Sequence, residues 1–416
     1  MIWSQFRCIA WLLIFFSPAT PFLLHAQETE AELESRALGL EKNGDAQGAL
    51  ALWQNAAILA PTSPRVEDQI GFLLAVLNQR EQAIPHFVRA IELDQRFAPA
   101  HYHLGVAYWL QQDPTNSIAH LQAAVDSAPD NFDYRYYLGH ALNDTAHYAE
   151  ALVQLRAATA LNGTHAETWN QLGIASQNSS SQADALNAYA RAVKLDPSNL
   201  DARNNYGVML VNSGHAEEGT AQFRQILTLD KNNIMAELNL GFAALQKGNF
   251  QEAEKRFREV IARDPNSAIA HYDLGVTLKL KDQLDSAKTE LERAMAIDPN
   301  LGEAHYTLGI LYWQSGDSTS AAEQMKSAVR INPKDADAYL ILGSALKQQG
   351  DLDAAQSALQ SAIRLDPANP GPYNALGQVL KKKGDAEGSR QAFAKGAQVS
   401  ENKNKELGKM LQKMPR

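Results

Sequence analysis

The chain has 416 residues, of which 45% are hydrophobic and 20% are charged, so it can bury a large core and lacks the composition of a disordered protein. Its 38 Lys and Arg against 47 Asp and Glu give a net charge of −9, which argues against a general nucleic-acid binder. The one cysteine, Cys8, excludes an internal disulfide framework, a CxxC redox pair and a cysteine-based zinc or iron–sulfur site.

Residues 1–26 have the features of a secretory signal peptide. One cation, Arg7, precedes an apolar run over residues 9–16, and the small residue Ala26 ends the segment. This pattern predicts cleavage after Ala26 and an exported protein, periplasmic or secreted. The alternative is a membrane anchor formed by residues 9–26, although two prolines and several polar residues interrupt that stretch.

A period of 34 residues runs through the rest of the chain. Glycine recurs at this spacing at Gly71, Gly105, Gly139, Gly173, Gly207, Gly241, Gly275, Gly309, Gly343 and Gly377. Ala37 lies one period earlier, which predicts eleven tandem repeats within residues 27–403. The repeats are predicted to start at residues 30, 64, 98, 132, 166, 200, 234, 268, 302, 336 and 370.

The apolar spacing within a repeat predicts two helices. In residues 249–263, Phe250, Ala253 and Phe257 recur at steps of three and four, which is the helical period. A glycine such as Gly248 marks the turn before this helix, and in most repeats a proline ends the second helix. One such hairpin cannot bury its apolar face alone, so the hairpins are expected to stack on one another.

These residues resemble the tetratricopeptide repeat. Trp169, Leu172 and Gly173 match the opening of its signature, and Ala253 and Phe257 match its second helix. The resemblance covers nearly the whole repeat array. It implies an all-α fold, a right-handed α-solenoid (superhelix) of stacked antiparallel helix pairs.

Residues 404–416 follow the last repeat. Leu407, Met410, Leu411 and Met414 fall on one helical face, with lysines opposite. We interpret the segment as a C-terminal capping helix that covers the apolar edge of the last repeat. The alternative is a basic helix that lies on a membrane surface.

The sequence contains no motif for catalysis. It has no GxxxxGK[ST], HExxH, GxSxG or CxxC pattern, so we predict a non-enzymatic protein with no catalytic residue, no metal site and no cofactor. His101, His271 and His305 share one place in the repeat. We expect them to pack against neighbouring helices rather than to bind a metal, because His101 and His103 point to different faces of a helix.

The family resemblance implies that the first helix of each repeat lines a concave side, where the fifth, ninth and twelfth places are exposed. Tyr, Trp and Asn in these places are suited to holding an extended peptide. The predicted partner-binding residues are Tyr102, Trp109, Tyr136, Asn170, Asn204, Tyr272, Tyr306 and Trp313. The alternative is that tyrosine at the fifth place is only a common packing residue. The repeats starting at 98 and 132 are richest in aromatic residues.

The sequence therefore predicts a protein–protein interaction scaffold that binds a peptide or protein in a concave groove, within an envelope or secretion assembly. Nucleic acid is not an expected partner, and a membrane is expected only if the N-terminal segment is retained. One alternative is a substrate-recruiting subunit acting in trans with an O-GlcNAc-transferase-like enzyme, because the chain also resembles the repeat region of O-linked N-acetylglucosamine transferases. Another is a membrane-anchored envelope scaffold.

Overall fold

The computed structural model describes residues 29–179 and 181–413, with side chains as far as residue 406. The regular elements in these residues are all α-helices, and no strand occurs among them. The chain divides into two compact units, the first ending at Leu161 and the second beginning at Asn162. Consecutive helices pack in pairs, so the protein is an all-α repeat solenoid, as the sequence predicts. The predicted signal peptide, residues 1–26, lies outside the described residues.

The helices of the first unit are α1 (Glu30–Lys42), α2 (Ala46–Leu59), α3 (Pro64–Val76), α4 (Arg80–Leu93), α5 (Ala98–Leu110), α6 (Pro114–Ser127), α7 (Phe132–Asp144) and α8 (Tyr148–Leu161). Those of the second unit are α9 (Ala166–Asn178), α10 (Gln182–Leu195), α11 (Leu200–Asn212), α12 (Ala216–Leu229), α13 (Ile234–Gln246), α14 (Phe250–Arg263), α15 (Ala268–Leu280), α16 (Leu284–Ile297), α17 (Gly302–Gln314), α18 (Ser318–Ile331), α19 (Ala336–Gln349), α20 (Leu352–Leu365), α21 (Pro370–Lys382) and α22 (Ala386–Lys413). Each odd-numbered helix begins at the first residue of one of the repeats expected from the glycine period.

A tight turn joins the two helices of a repeat. The middle one of the three residues between the helices has a left-handed backbone conformation, with φ of 74° at Gly248. Where a described turn has no glycine at this place, another residue takes the same conformation, such as Ala146 with φ of 60°. The turn therefore requires a left-handed residue whatever the side chain, which explains why glycine is frequent there.

The repeating glycine at the eighth place lets the two helices of a hairpin approach closely. A Cβ atom added at Gly105 would lie 2.7 Å from Cγ of Leu121, and one at Gly241 would lie 2.6 Å from Cε1 of Phe257. Leu121 and Phe257 are both fully buried. The core of such a hairpin is thus built from a large side chain on the second helix that packs against the backbone of a glycine on the first helix.

At the fourth place of the repeat, histidine side chains form hydrogen bonds with the preceding loop. His271 Nε2 lies 3.2 Å from the carbonyl oxygen of Pro265, and His305 Nε2 lies 3.2 Å from that of Pro299. A carbonyl oxygen only accepts, so the imidazole N–H donates in each case. His101 makes the equivalent contact at 3.1 Å. These hydrogen bonds give the histidine column a structural role between helix and loop.

The last helix, α22, runs unbroken from Ala386 to Lys413. Residues 404–413 of the expected capping helix therefore continue the second helix of the last repeat and do not start a new helix. Their covering of the apolar edge stays a prediction. Among the described helices, none combines the length and the apolar character needed to cross a membrane.

Candidate functional site

The predicted partner-binding residues lie on the odd-numbered helices, on the face that carries the fifth, ninth and twelfth places; we call this the first-helix face. Tyr102, Trp109 and Tyr136 belong to the first unit, and the other five belong to the second. All are partly exposed except Asn170, which is only 3% exposed. The structure distributes them over separate local sites, which are described in turn.

Aromatic side chains of α5 and α7 form a ring cluster in the first unit. The ring of Tyr137 lies at its centre, with ring centroids 5.5 Å from Tyr102, 6.0 Å from Trp109 and 5.0 Å from Tyr136. His140 lies 4.9 Å from Trp109. These are edge-on contacts, the favourable geometry for aromatic pairs. The cluster joins three of the predicted residues through Tyr137, which the fifth, ninth and twelfth places do not include.

Tyr102, the tyrosine that α5 contributes to the ring cluster, is uncharged at neutral pH. Burial raises the pKa of the Tyr102 hydroxyl above its ordinary value of 10, and the nearby Tyr137 and Asp133 add to the rise. The hydroxyl therefore stays protonated at neutral pH. The cluster presents ring faces and neutral hydrogen-bonding groups, which suit uncharged parts of a polypeptide.

Trp109 is held in place at the other end of the cluster. Its indole Nε1–H donates to Oδ2 of Asp144 at 2.7 Å, a contact between consecutive repeats. Trp109, Leu110 and Thr145 line a cavity of about 460 Å³ next to this hydrogen bond. The indole is thus oriented by its neighbour and keeps one side open.

A second cavity, which we call the α3–α5 pocket, has a volume of about 290 Å³. Its walls include Phe72, Val76 and Leu110, which are 36%, 56% and 47% exposed, and its floor includes the buried Phe87. Tyr102 forms the wall next to the ring cluster. Large apolar side chains that remain exposed together in a concave site are typical of a binding surface.

His103 forms a polar edge of the α3–α5 pocket. Its Nδ1 lies 2.8 Å from Oδ1 of Asp68, a carboxylate that is 1% exposed. Its ring centroid lies 5.3 Å from that of Phe72 and 5.4 Å from that of Phe87. The buried carboxylate fixes the orientation of the imidazole, so the pocket has a defined shape before any partner arrives.

In the second unit, the predicted asparagines connect neighbouring repeats. The Nδ2 of Asn205 donates to Oδ1 of Asn170 at 3.0 Å, and the Nδ2 of Asn239 donates to Oδ1 of Asn204 at 2.5 Å. Each pair joins the fifth place of one repeat to the sixth place of the next, 35 residues on. We call this series of contacts the inter-repeat ladder. The two asparagines have this structural role, and contact with a partner stays a prediction for them.

Asp273 interrupts the inter-repeat ladder. It occupies the sixth place of its repeat, but the fifth place of the preceding repeat is Leu238, which has no polar side-chain atom. Within the described residues the Asp273 carboxyl has no hydrogen bond or ion pair. Burial raises the pKa of this carboxyl from 3.8 to about 7. Comparing the fifth-place row with the sixth-place row of the next repeat would have indicated this residue from the sequence.

Tyr272 and Tyr306 line a cavity of about 320 Å³ in the second unit, together with the carboxylates of Glu303 and Asp335. We call it the tyrosine–carboxylate cavity. Burial raises the pKa of Tyr306, and the carboxylates of Asp337 and Asp335 add to the rise. The pKa of Tyr272 is raised mainly by burial as well, with a contribution from Glu303. The electrostatic field at both hydroxyls is therefore negative.

Trp313, the last of the predicted residues, packs at the edge of a hydrophobic core that includes Met325 and Leu342. Its exposed part is separate from the lining of the tyrosine–carboxylate cavity. Among the described residues, no three His, Asp or Glu side chains are grouped as a metal site would need.

Comparisons with known proteins identify the class of protein. The model described as the cytochrome c-type biogenesis protein H TPR domain matches residues 152–268. Two tetratricopeptide repeat models match residues 73–132, 111–166, 306–370 and 342–402 in one case and 244–308 in the other. The chain belongs to the tetratricopeptide repeat family, as the repeat signature indicates.

The first of three similar solved structures supports this fold. A tetratricopeptide repeat protein from Parabacteroides merdae is 16% identical over 60% of this chain and 98% of its own, with a TM-score of 0.56. YrrB, described as a TPR protein with an unusual peptide-binding site, is 24% identical over 44% of this chain and 95% of its own, with a TM-score of 0.42. Yeast Tom70 is 13% identical over 89% of this chain and 92% of its own, with a TM-score of 0.48. A search of curated proteins found no match.

Proposed function

We propose that the protein is a non-enzymatic scaffold that holds a partner polypeptide on the first-helix face of its first unit. Tetratricopeptide repeat proteins bind protein or peptide partners, which gives the class of ligand. The single observation that carries the proposal is the α3–α5 pocket, where Phe72, Val76 and Leu110 remain exposed around a concave space. Covering these side chains would remove apolar surface from water, which is the main driving force of association.

The pocket and the ring cluster together suggest how the partner is held. The α3–α5 pocket accepts one apolar side chain, and burying a Leu-sized group contributes roughly 1.5–3 kcal/mol. Tyr102 lies between pocket and cluster, so an extended peptide can pass from the pocket to the ring faces of Tyr136 and Trp109. Preformed aromatic surfaces of this kind bind at a small entropic cost.

We propose that the protein is exported and acts outside the cytoplasm, in an envelope or secretion assembly; this proposal rests on the signal-peptide pattern of residues 1–26. We propose that the mature chain starts at Gln27. Amino-terminal sequencing of protein recovered from the native compartment tests this step, and an intact Met1 would favour an anchored scaffold instead.

Selection of peptides from a random library on the full chain tests the binding site. We expect the selected peptides to share an apolar residue, and Val76→Glu to weaken their binding about tenfold or more, because it places a charge in the pocket. The matched control is Val153→Glu, at a valine of α8 that is 62% exposed. Circular dichroism checks that both variants fold. Equal loss in the two variants, or loss in neither, would contradict the proposal.

A second candidate function is a role in cytochrome c-type biogenesis. It is favoured by the match of residues 152–268 to the cytochrome c-type biogenesis protein H TPR domain. A partner in that process would carry the haem-attachment sequence C-x-x-C-H. Binding of a peptide with this sequence, compared with a scrambled version, tests the candidate; equal affinities for the two would exclude it.

A further inference from the structure

We propose that the tyrosine–carboxylate cavity binds a basic side chain, Lys or Arg, of a partner polypeptide. The cavity lies in the second unit, between α15, α17, α18 and α19. The proposal goes beyond the scaffold function by assigning a second subsite whose chemistry is opposite to that of the apolar α3–α5 pocket.

The space in this cavity depends on a glycine. Gly302 occupies the first place of its repeat and lines the cavity. A Cβ atom there would lie 3.1 Å from Cγ2 of Ile331, so a side chain would crowd the wall. The first places of the two flanking repeats are Ala268 and Ala336. The glycine therefore opens room at this repeat.

The pair of carboxylates is also particular to this repeat, the one repeat with an acidic residue at both its second and its thirty-fourth place. Glu303 has no ion pair in the part of the chain that the structure describes, and Asp335, which also forms no ion pair there, accepts the backbone N–H of Ala338 at 2.9 Å as a helix cap. No Lys or Arg lines the cavity. One repeat earlier, the two corresponding places hold Ile269 and Leu301, so the same location is apolar there.

A basic side chain fits these features better than other groups do. The faces of Tyr272 and Tyr306 attract a cation, and the two carboxylates accept charge-assisted hydrogen bonds from it. The long apolar stem of Lys or Arg can pass the apolar part of the wall while its charge reaches the carboxylates. An acidic group would be repelled, and an apolar group would desolvate the Glu303 carboxylate without giving it a partner.

The variants that test the proposal remove charge and keep shape. Glu303→Gln with Asp335→Asn eliminates both carboxylates, and Asn retains the helix cap because Asn and Asp cap equally well. The control is Asp285→Asn with Glu323→Gln, which makes the same change of net charge at two exposed residues of the second helices α16 and α18. The control separates local recognition from the general attraction of a cation to a chain of net charge −9.

The probe is a fluorescent peptide of alternating Lys and Ala, compared with its acetyl-lysine and Glu versions, and the measurement is fluorescence anisotropy with the full chain. We expect only the Lys peptide to bind, and the cavity variant to bind it about tenfold or more weakly than the control variant. Tyr306→Leu should also weaken it, and Leu is tolerated at this place because Leu340 occupies it in the next repeat.

Equal binding by the cavity and control variants would overturn the proposal, as would equal binding of the Lys and Glu peptides or no binding of the Lys peptide. The outcome is independent of the α3–α5 pocket. Val76→Glu is expected to leave the Lys peptide bound, because Val76 and the cavity belong to different units. Failure of one proposal can therefore be told from failure of the other.

Discussion

Ionisation of Asp273 should make the second unit less stable as the pH rises. Burial raises the pKa of its carboxyl from 3.8 to about 7, and no hydrogen bond or ion pair offsets this within the described residues. Between about pH 4 and pH 7 the unfolded chain loses this proton while the folded chain keeps it. Ionisation therefore lowers the free energy of the unfolded state relative to the folded state in that range, so the contribution of Asp273 to the free energy of unfolding falls as the pH rises.

The size of the effect follows from the two pKa values. The pKa of Asp273 rises from 3.8 to about 7, and each pKa unit corresponds to about 1.4 kcal/mol. Above pH 7 the ionised carboxylate therefore lowers the free energy of unfolding by about 4 kcal/mol. Asp273→Asn removes the ionisation and nearly preserves the shape. We expect this variant to match the wild type near pH 4 and to be more stable by up to about 4 kcal/mol near pH 8. Asp285→Asn, at an exposed carboxylate, should change little.

Two measurements check this prediction. Urea unfolding followed by circular dichroism gives the stability of wild type and variants at several pH values, and carbon-13 NMR of labelled Asp carboxyls gives the pKa directly. Leu238→Asn places a side-chain amide opposite Asp273, and its Nδ2 can donate to the carboxylate, the reverse of the direction in the ladder, where Nδ2 of Asn239 donates to Asn204. This hydrogen bond should lower the pKa of Asp273 towards its ordinary value. A wild-type carboxyl that titrates near pH 4, or identical pH profiles for wild type and Asp273→Asn, would refute the reasoning.

Substitutions at three positions test the packing, the caps and the turns. Gly105→Ala should destabilise the first unit by about 1–3 kcal/mol, read as a lower urea midpoint, because its Cβ would lie 2.7 Å from Cγ of Leu121. Asp335→Ala should cost about 1 kcal/mol through loss of the cap, whereas Asp335→Asn should cost little; similar melting temperatures for the two variants would count against the cap. Ala146→Gly should raise the melting temperature slightly, since the left-handed conformation at φ 60° costs alanine about 1 kcal/mol, and a lower value would show that the turn is not strained.

The helical framework could be predicted from the sequence because its constraints are local and repeated. Gly105 at the eighth place allows two helices to approach closely, and Gly248 in the turn adopts a left-handed backbone conformation. The same requirements recur every 34 residues, so a single period locates them all. Phe257 and its equivalents then fill the space that the glycines leave.

The contacts between repeats were less accessible from the sequence. The fifth-place row alone predicted that Asn170 contacts a partner, and it did not indicate that the Asn170 side chain is buried and accepts a hydrogen bond from Asn205 of the next repeat. That contact spans 35 residues and appears only when the fifth and sixth places of successive repeats are read together. Asp273 is conspicuous in the same comparison, because Leu238 cannot form the side-chain hydrogen bond that joins Asn170 to Asn205 and Asn204 to Asn239.

The chemistry of each cavity depends on a few side chains around a common backbone. The tyrosine–carboxylate cavity arises where Gly302 opens the wall and Glu303 and Asp335 supply charge, and the corresponding residues one repeat earlier are alanine, isoleucine and leucine. The sequence contains these differences. The 34-residue period is detected from the residues that the repeats share, so it does not indicate where the repeats differ. Binding sites in a repeat protein lie where repeats differ, so the residues that depart from their neighbours at the first, second and thirty-fourth places are the ones to compare first.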